Sequence, residues 1–531
     1  MRRHRKGLAT AVAATWLVAG FGGAAAAETI LRIVPQADLR NIDPVWTTAA
    51  ITQNHGYMVY DMLFALDGDL QPQPQMVDTW SVSDDDLTWS FTLRDGLLFH
   101  DGSPVEAKDA VASIARWSVK RADGQALMSR TDEMVAIDDK TFEIRLTQPF
   151  GPMLQVLANP TLPLPVLREQ EALTDPDEQV TTIIGSGPFV FAEDEWVPGD
   201  RVVYRKFEDY VPRDEPASGF AGGKVVHVDR VDWIYIPDTN TATQALLTGQ
   251  VDVYEVPPMD LLPMLDADPN ITVAVLDPLG KMGHIRPNHL YPPFNDARAR
   301  QALQLLVDQR EFLAAQVGNP QYEQVCYAVF MCNSVFETEA HAEPWMERDF
   351  ERARELLAES GYDFEQPIVV MLPTDQQIIY NNMLVMVGAL QEIGVNVDAQ
   401  AMDWSTLTTR RARDDDPSTN PNVGWHLFPT WWTGVPMSSP LTNPPLVASG
   451  DRATAWFGWP EDEELEGLRI SFMDAPDFDA QMEVIDAIQK RFYEFIPYIN
   501  TGQFLSPVAW RNEVQDVPDA LLFTAWNLTK N

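Results

Sequence analysis

Between residues 87 and 93 apolar and polar side chains alternate: Leu87, Trp89, Phe91 and Leu93 fall on one face, Thr88, Ser90 and Thr92 on the other. Successive side chains of a strand point to opposite faces, so this period of two predicts a strand with one buried face. Asp95-Gly96 predicts a turn, 97–100 a return strand, and Asp101-Gly102 a second turn. Ser103 as N-cap, Pro104 at the first helical position and Glu106 as capping-box partner then predict a helix from Pro104 to about Lys120. A further strand is TFEIRL at 141–146, where Phe142, Ile144 and Leu146 face one way.

Farther along, strand and helix signals alternate without internal repeats. VDWIYIP reads as a strand, TNTATQALLTG as a helix closed by Gly249, and VDVYEV as the next strand, a β-α-β order typical of an α/β lobe. The run 296–318 predicts one long helix capped by Asn295 or Asp296. RDFERARELLAESGY predicts a helix ending at Gly361, IVVMLP a strand, and 376–394 a long helix ending at Gly394 before the strand VNVDAQAMD. Two α/β regions and a β-rich insertion thus follow from patterning alone.

One stretch breaks the pattern. From Pro417 to Gly450, 34 consecutive positions carry no Asp, Glu, Lys or Arg, where a charged fraction of 22% would place about seven. The segment WHLFPTWWTGVPMSSP within it holds three tryptophans and too many prolines for a regular helix. It predicts a loop that is either simply buried or built to line an apolar cavity.

At 531 residues the chain is long enough for about three domains. Its first 27 residues read as a secretory leader: basic MRRHRK, an apolar run, then small residues with Ala25 and Ala27 in an A-x-A cleavage pattern. Removing it would take away four basic residues and shift the formal charge from −40 to −44, a balance that repels nucleic acid and anionic lipid. No later stretch approaches the ~20 apolar residues of a membrane span, and no Cys follows the cleavage site to carry a lipid. The expectation is a free protein in the periplasm of a Gram-negative type cell, not a lipoprotein. In that oxidising compartment Cys326 and Cys332 are expected to form a local disulfide.

Signatures of chemistry are missing from the chain. It has no H-E-x-x-H, G-x-S-x-G, G-x-x-x-x-G-K-[ST] or G-x-G-x-x-G motif. No two of its eight histidines share a helical i, i+3 or i, i+4 spacing, which predicts neither a metal centre nor a cofactor. The acidic runs 84–86 and 414–416 read as solvated turns.

Several segments together resemble family 5 of the extracytoplasmic solute-binding proteins, the receptors of peptide, dipeptide, oligopeptide and nickel ABC importers. They are NIDP at 41–44, the run 77–116 with its FHDGSP, GSGPF at 185–189, the G-x-x-D of Gly249 and Asp252, PPFNDARARQALQLLVD, ARELLAESGY and IPYINTGQ. The resemblance implies an α/β fold of two hinged lobes joined by crossing strands, with an extra β-rich domain. Lobe 1 would comprise 28–70, 185–285 and 506–531, the inserted domain 71–184, and lobe 2 residues 286–505. It also implies a non-enzymatic, monomeric receptor that closes over a small organic solute, peptide-like or aromatic and carboxylate-bearing, and delivers it to an inner-membrane permease with its ATPase. The alternatives are a nickel-type metal-chelate receptor using His426 and His284, or a secreted hydrolase.

By that resemblance the uncharged segment falls on the ligand-facing side of lobe 2. Trp425, His426, Phe428, Trp431, Trp432, Thr433, Gly434 and Val435 become candidate contacts, with at least two of the large aromatic side chains expected to reach the cleft. Dipeptide-binding relatives carry a W-T-G-D-like run here whose Asp pairs with the ligand's α-ammonium. This chain reads Trp432-Thr433-Gly434-Val435. In HIRPN, strand geometry puts His284, Arg286 and Asn288 on one face, where Arg286 could either clamp a ligand carboxylate or pair with a nearby acid. Tyr498, Asn500 and Gln503 sit where the resemblance places a second hinge strand.

Overall fold

The computed structural model describes residues 28–452, 455–475 and 477–531. The leader expected at 1–27 lies outside the described residues. Two large sheets organise the molecule. The first has seven strands in the order Ile271–Val275, Pro507–Arg511, Val253–Tyr254, Ile30–Val34, Arg230–Ile234, Arg201–Lys206, Phe189–Phe191. Its centre is parallel, Ile30–Val34 lying between Arg230–Ile234 and Val253–Tyr254. The second has six, in the order Glu323–Gln324, Ile499–Phe504, Lys281–Pro287, Leu427–Thr433, Ile368–Pro373, Val397–Met402. A smaller antiparallel sheet, Val77–Val82, Thr88–Leu93, Thr141–Leu146 and Thr131–Ala136, packs beside the first.

The alternation at 87–93 has the expected consequence: Phe91 and Leu93 are buried, and Phe91 stacks on Phe142 of the neighbouring strand at 5.0 Å. Three local expectations differ from the structure. The segment 97–100 forms no strand, only an isolated bridge from Leu98 to Pro104. The helix is Ala107–Lys120, and its cap is the reciprocal pair Glu106 and Asp109 rather than Ser103 with Glu106. Asp101 takes the Ser103 backbone N–H and hydroxyl into its own turn, which removes Ser103 as a cap. The run 296–318 is two helices, Ala297–Leu305 and Gln309–Gln316, because Asp308 accepts the Arg310 N–H and starts a new one.

The chain passes between the two large sheets twice, at 276–280 and at 505–506, and the two passages lie side by side. Lys281 pairs with Phe504 in adjacent strands. A Cβ built on Gly280 would fall 2.4 Å from the Phe504 carbonyl oxygen, and Gly280 itself has φ +71°. Only glycine allows that approach at that backbone angle. The whole of Lys281–Pro287 belongs to the second sheet, so the lobe border expected at 285/286 cuts through a strand.

Asp43, in the NIDP turn, fixes the first sheet's lobe to the smaller sheet's domain. Its side chain receives Arg116 at 2.8 Å and the Val180 N–H at 2.8 Å, with both members of the ion pair buried. Its other oxygen receives the N–H groups of Val45 and Trp46. Breaking a buried pair leaves one charge stranded. Asp43→Ala is therefore expected to lower stability by about 3–5 kcal/mol in chemical denaturation. Glu133→Gln, at the solvent-exposed Arg145 pair, should leave the midpoint unchanged.

Candidate functional site

The uncharged segment contains an interior strand, not a loop. Leu427–Thr433 pairs along its whole length with Lys281–Pro287, and meets Ile368–Pro373 on its other edge only at Leu427. Beyond that point the second edge is unpaired, which is where a proline such as Pro429 is tolerated. The start of this strand packs into the lobe, and its end, from Thr430 to Thr433, lines the space toward the first sheet.

That division sorts the expected site residues. Trp425 and Phe428 are fully buried and pack edge to face at 4.9 Å. Trp425 also donates its indole N–H to the Arg413 carbonyl. His426 accepts the Val369 N–H on Nδ1 at 2.9 Å, inside the lobe. His284 is buried against Tyr498 at 4.1 Å, and the Tyr498 hydroxyl donates to the Val329 carbonyl. Gln503 accepts the Cys332 N–H and donates to the Leu279 carbonyl, while Asn500 binds the carbonyls of Cys326 and Ala328. Cys326 and Cys332 are joined by a disulfide. Gly434 and Val435 line no described cavity; a Cβ on Gly434 would fall 2.2 Å from the Leu279 Cβ.

Arg286 does not reach the cleft. Its guanidinium is buried and donates to the carbonyls of Phe457 at 2.7 Å, Pro445 at 2.9 Å and Pro497 at 2.8 Å, with Trp456 beneath it. Backbone carbonyls, rather than a carboxylate, satisfy it. It is a structural staple of the second sheet's lobe.

Trp431, Trp432 and Thr433 lie on a cavity of about 130 Å³ between the two sheets. Trp404, from the start of helix Trp404–Arg410, and Trp456 add two more indoles. Hydrogen bonds cross beside it: Gln376 to the Gln36 carbonyl at 2.7 Å, Tyr235 to Asp375 at 2.9 Å, and Trp456 to Thr48 at 3.2 Å. A second cavity, of about 440 Å³, shares Gln36, Val256, Lys281, Gln376 and Trp431 with the first, so the two are chambers of one cleft.

Four charged side chains line the first chamber, none of them singled out by the sequence. Arg411, at the C-cap of the Trp404 helix, is 2% exposed and enclosed by the rings of Trp404, Phe428, Trp456 and Phe457. Among the described residues its guanidinium makes one long 3.4 Å contact to the Thr48 hydroxyl, its Nε has no partner, and no carboxylate pairs with it. Burial pushes its pKa down to about 9. Glu255 accepts the Gln36 N–H, and burial pushes its carboxyl up to about 7. Lys281 sits 4.2 Å above the Trp431 ring, with burial pushing it down to about 8 against the pull of Asp277 and Glu255. Asp277 is raised to about 6, again by burial.

Among the described residues no group of three metal-ligating side chains occurs. A buried guanidinium boxed by aromatic rings without a counter-ion can accept an anion, and the indoles supply wide apolar walls. Arg286→Met is expected to lower the melting temperature sharply without selective loss of carboxylate-bearing ligands, as measured by calorimetry on the folded protein. Glu255 gives a pH test. Its folded pKa lies above the ordinary glutamate value of 4.5, so the folded state holds its proton longer and loses stability as pH rises from about 4.5 through 7. Glu255→Gln should therefore melt above the solute-free wild type at pH 8, with the gap closing at pH 4.5.

Comparison with known proteins gives the family and the fold. Residues 71–452 match the family model described as bacterial extracellular solute-binding proteins, family 5 middle. The chain is 40% identical over 513 residues, 96% of its length and 94% of the relative's, to the probable peptide ABC transporter periplasmic-binding protein y4tO of Sinorhizobium fredii. It is 25% identical to the glutathione-binding protein GsiB of Escherichia coli K12, covering 84% of this chain and 82% of that one. Its fold is that of the binding protein AgaA from A. tumefacien R10, solved with agropinic acid, at a TM-score of 0.79 and 20% identity over 94% of this chain and 99% of the other. The chain belongs to family 5 of the bacterial extracellular solute-binding proteins.

Proposed function

We propose that this protein is the extracytoplasmic receptor of an ABC importer, capturing a small carboxylate-bearing organic solute between its lobes and delivering it to an inner-membrane permease and its ATPase. The observation that carries this reading is Arg411: a buried guanidinium with no counter-ion, in an aromatic box between the two large sheets. The solute's carboxylate supplies the missing charge. Trp431, Trp432, Trp404 and Trp456 cover its apolar part, and the larger chamber leaves room for an extended remainder.

The first sheet with 28–70, 185–275 and 507–531 forms one lobe, the second sheet with 281–504 the other, and 71–184 is an appended domain. Hydrogen bonds such as Tyr235 to Asp375 and Gln376 to Gln36 hold the lobes closed, and a solute touching both lobes shifts the open–closed balance toward that form. The permease reads the closed form. Export through the 1–27 leader, a free monomeric state in the periplasm and the absence of covalent chemistry complete the reading. Relatives named for a peptide and for glutathione support a peptide-like solute. The metal-chelate alternative loses its candidate ligands, since His284 and His426 lie inside the second lobe.

Native mass spectrometry of protein recovered from its own periplasm is expected to show one small organic acid per chain, chemically unchanged on prolonged incubation. A turned-over substrate would point instead to a hydrolase. Once that solute is known, Trp431→Ala and Trp432→Ala should each weaken its binding by about 1–3 kcal/mol while the fold survives. Unchanged affinity in both would return the two indoles to a packing role.

A further inference from the structure

The buried Asp43–Arg116 pair fixes the appended domain to the first lobe, so that domain travels with that lobe. A second arginine of the same domain, Arg130, reaches the other way. Its side chain is 10% exposed, and its Nη1 donates to the Pro149 carbonyl at 2.7 Å inside the domain. Its Nη2 donates to the Asp474 carboxylate, which belongs to the second lobe. Among the described residues Arg130 has no carboxylate partner in its own domain, and Asp474 has no other cation. The charge of each is answered only across the gap between the lobes.

Both ends of this contact are anchored. The Arg130 N–H donates to the Leu127 carbonyl, and its own carbonyl accepts the Thr147 N–H at 2.7 Å and hydroxyl at 3.1 Å. Asp474 ends the turn Phe472–Asp474 that follows helix Glu463–Ser471, and the turn is pinned by buried Phe472, edge-on to Phe336 at 5.2 Å. With both groups held in place, forming the pair costs little side-chain freedom. The Asp474 side chain is 65% exposed where that of Asp43 is 0%, so the Arg130 pair lies at the rim, and water takes up the carboxylate when it parts. Arg40, which also faces across the lobes, behaves differently: it lies 3.9 Å from Asp403 but keeps Asp38 of its own lobe at 2.7 Å. Opening therefore leaves Arg40 paired and Arg130 unpaired.

We infer that Arg130 and Asp474 form a breakable latch, through which the appended domain clasps the second lobe on closure and favours the closed form without touching the solute. The inference rests on the receptor reading above and its division into lobes. It gives the appended domain a part in the cycle: one buried ion pair holds it to the first lobe throughout, and one exposed pair holds it to the second lobe only when the cleft is shut. A latch of this kind acts on the open–closed balance alone, so its loss weakens the apparent binding of every solute by the same factor.

The test is a charge swap read as inter-lobe distance. The full mature protein, freed of bound solute, carries nitroxide labels at Val225→Cys on one lobe and Leu384→Cys on the other, both exposed. It is titrated with the small-molecule fraction released from native periplasmic protein, and the amount that closes half of the molecules is recorded. Arg130→Glu and Asp474→Arg are each expected to raise that amount by about two- to fivefold, and the double variant to return it close to the wild-type value. Glu133→Gln, which breaks the Arg145 pair inside the appended domain, should leave it unchanged. Single variants that close like the wild type overturn the latch, and so does a double variant that is as weak as the two losses combined. Where Arg130→Glu fails to fold, Asp474→Asn at the exposed end decides alone: about a twofold or greater rise supports the latch, and no rise overturns it. A wild-type distance that the released fraction does not move contradicts the receptor reading itself, and the inference with it.

Discussion

Everything at the cleft depends on the close approach of the two passages between the sheets. Gly280 leaves room for the Phe504 carbonyl at a distance no side chain would permit, and Lys281 then pairs with Phe504 as both chains enter the second sheet. Two short adjacent connections, 276–280 and 505–506, define a single axis of relative motion, the arrangement expected of hinge closure. They also form part of the site. Asp277, Lys281 and Ser506 line the chamber, so the residues that connect the lobes contact whatever lies between them.

The missing charges between 417 and 450 have two causes, and only one concerns the cavity. At the start of Leu427–Thr433, Phe428 packs into a lobe already occupied by Trp425, Trp456 and the carbonyl-bound Arg286. A charge there would need a partner the lobe does not have. At the end of the strand Trp431 and Trp432 meet the cavity. The charges of the site come instead from outside the segment, from Glu255 and Asp277 on one side and Arg411 on the other.

The pattern of the chain made much of the scaffold legible. Period-two alternation located Thr88–Leu93 and Thr141–Leu146, and apolar periodicity with a following glycine located Phe350–Glu359 and Gln377–Glu392, because each buries one continuous face. Capping competition was not legible: Asp101 draws Ser103 into a turn, and Asp308 restarts a helix that looked continuous. The site was half legible. Trp431 and Trp432 could be singled out by their uncharged surroundings, but Arg286 and Arg411 look alike in sequence. What separates them is tertiary: carbonyls from 445, 457 and 497 surround the first, and rings without an acid surround the second. No local signal marks Asp277 either, beyond its place in the turn-forming Asp-Pro-Leu-Gly of the first passage.

The central claim, closure of two lobes about one axis on a solute, is open to a direct distance measurement. Nitroxide labels introduced by Val225→Cys and Leu384→Cys, both exposed and placed on opposite lobes, report the inter-lobe distance by pulsed electron resonance. The account predicts a broad distribution reaching longer distances in solute-free protein, collapsing to a single shorter distance when the solute released from the native protein is added back. The same distribution with and without that solute would contradict it.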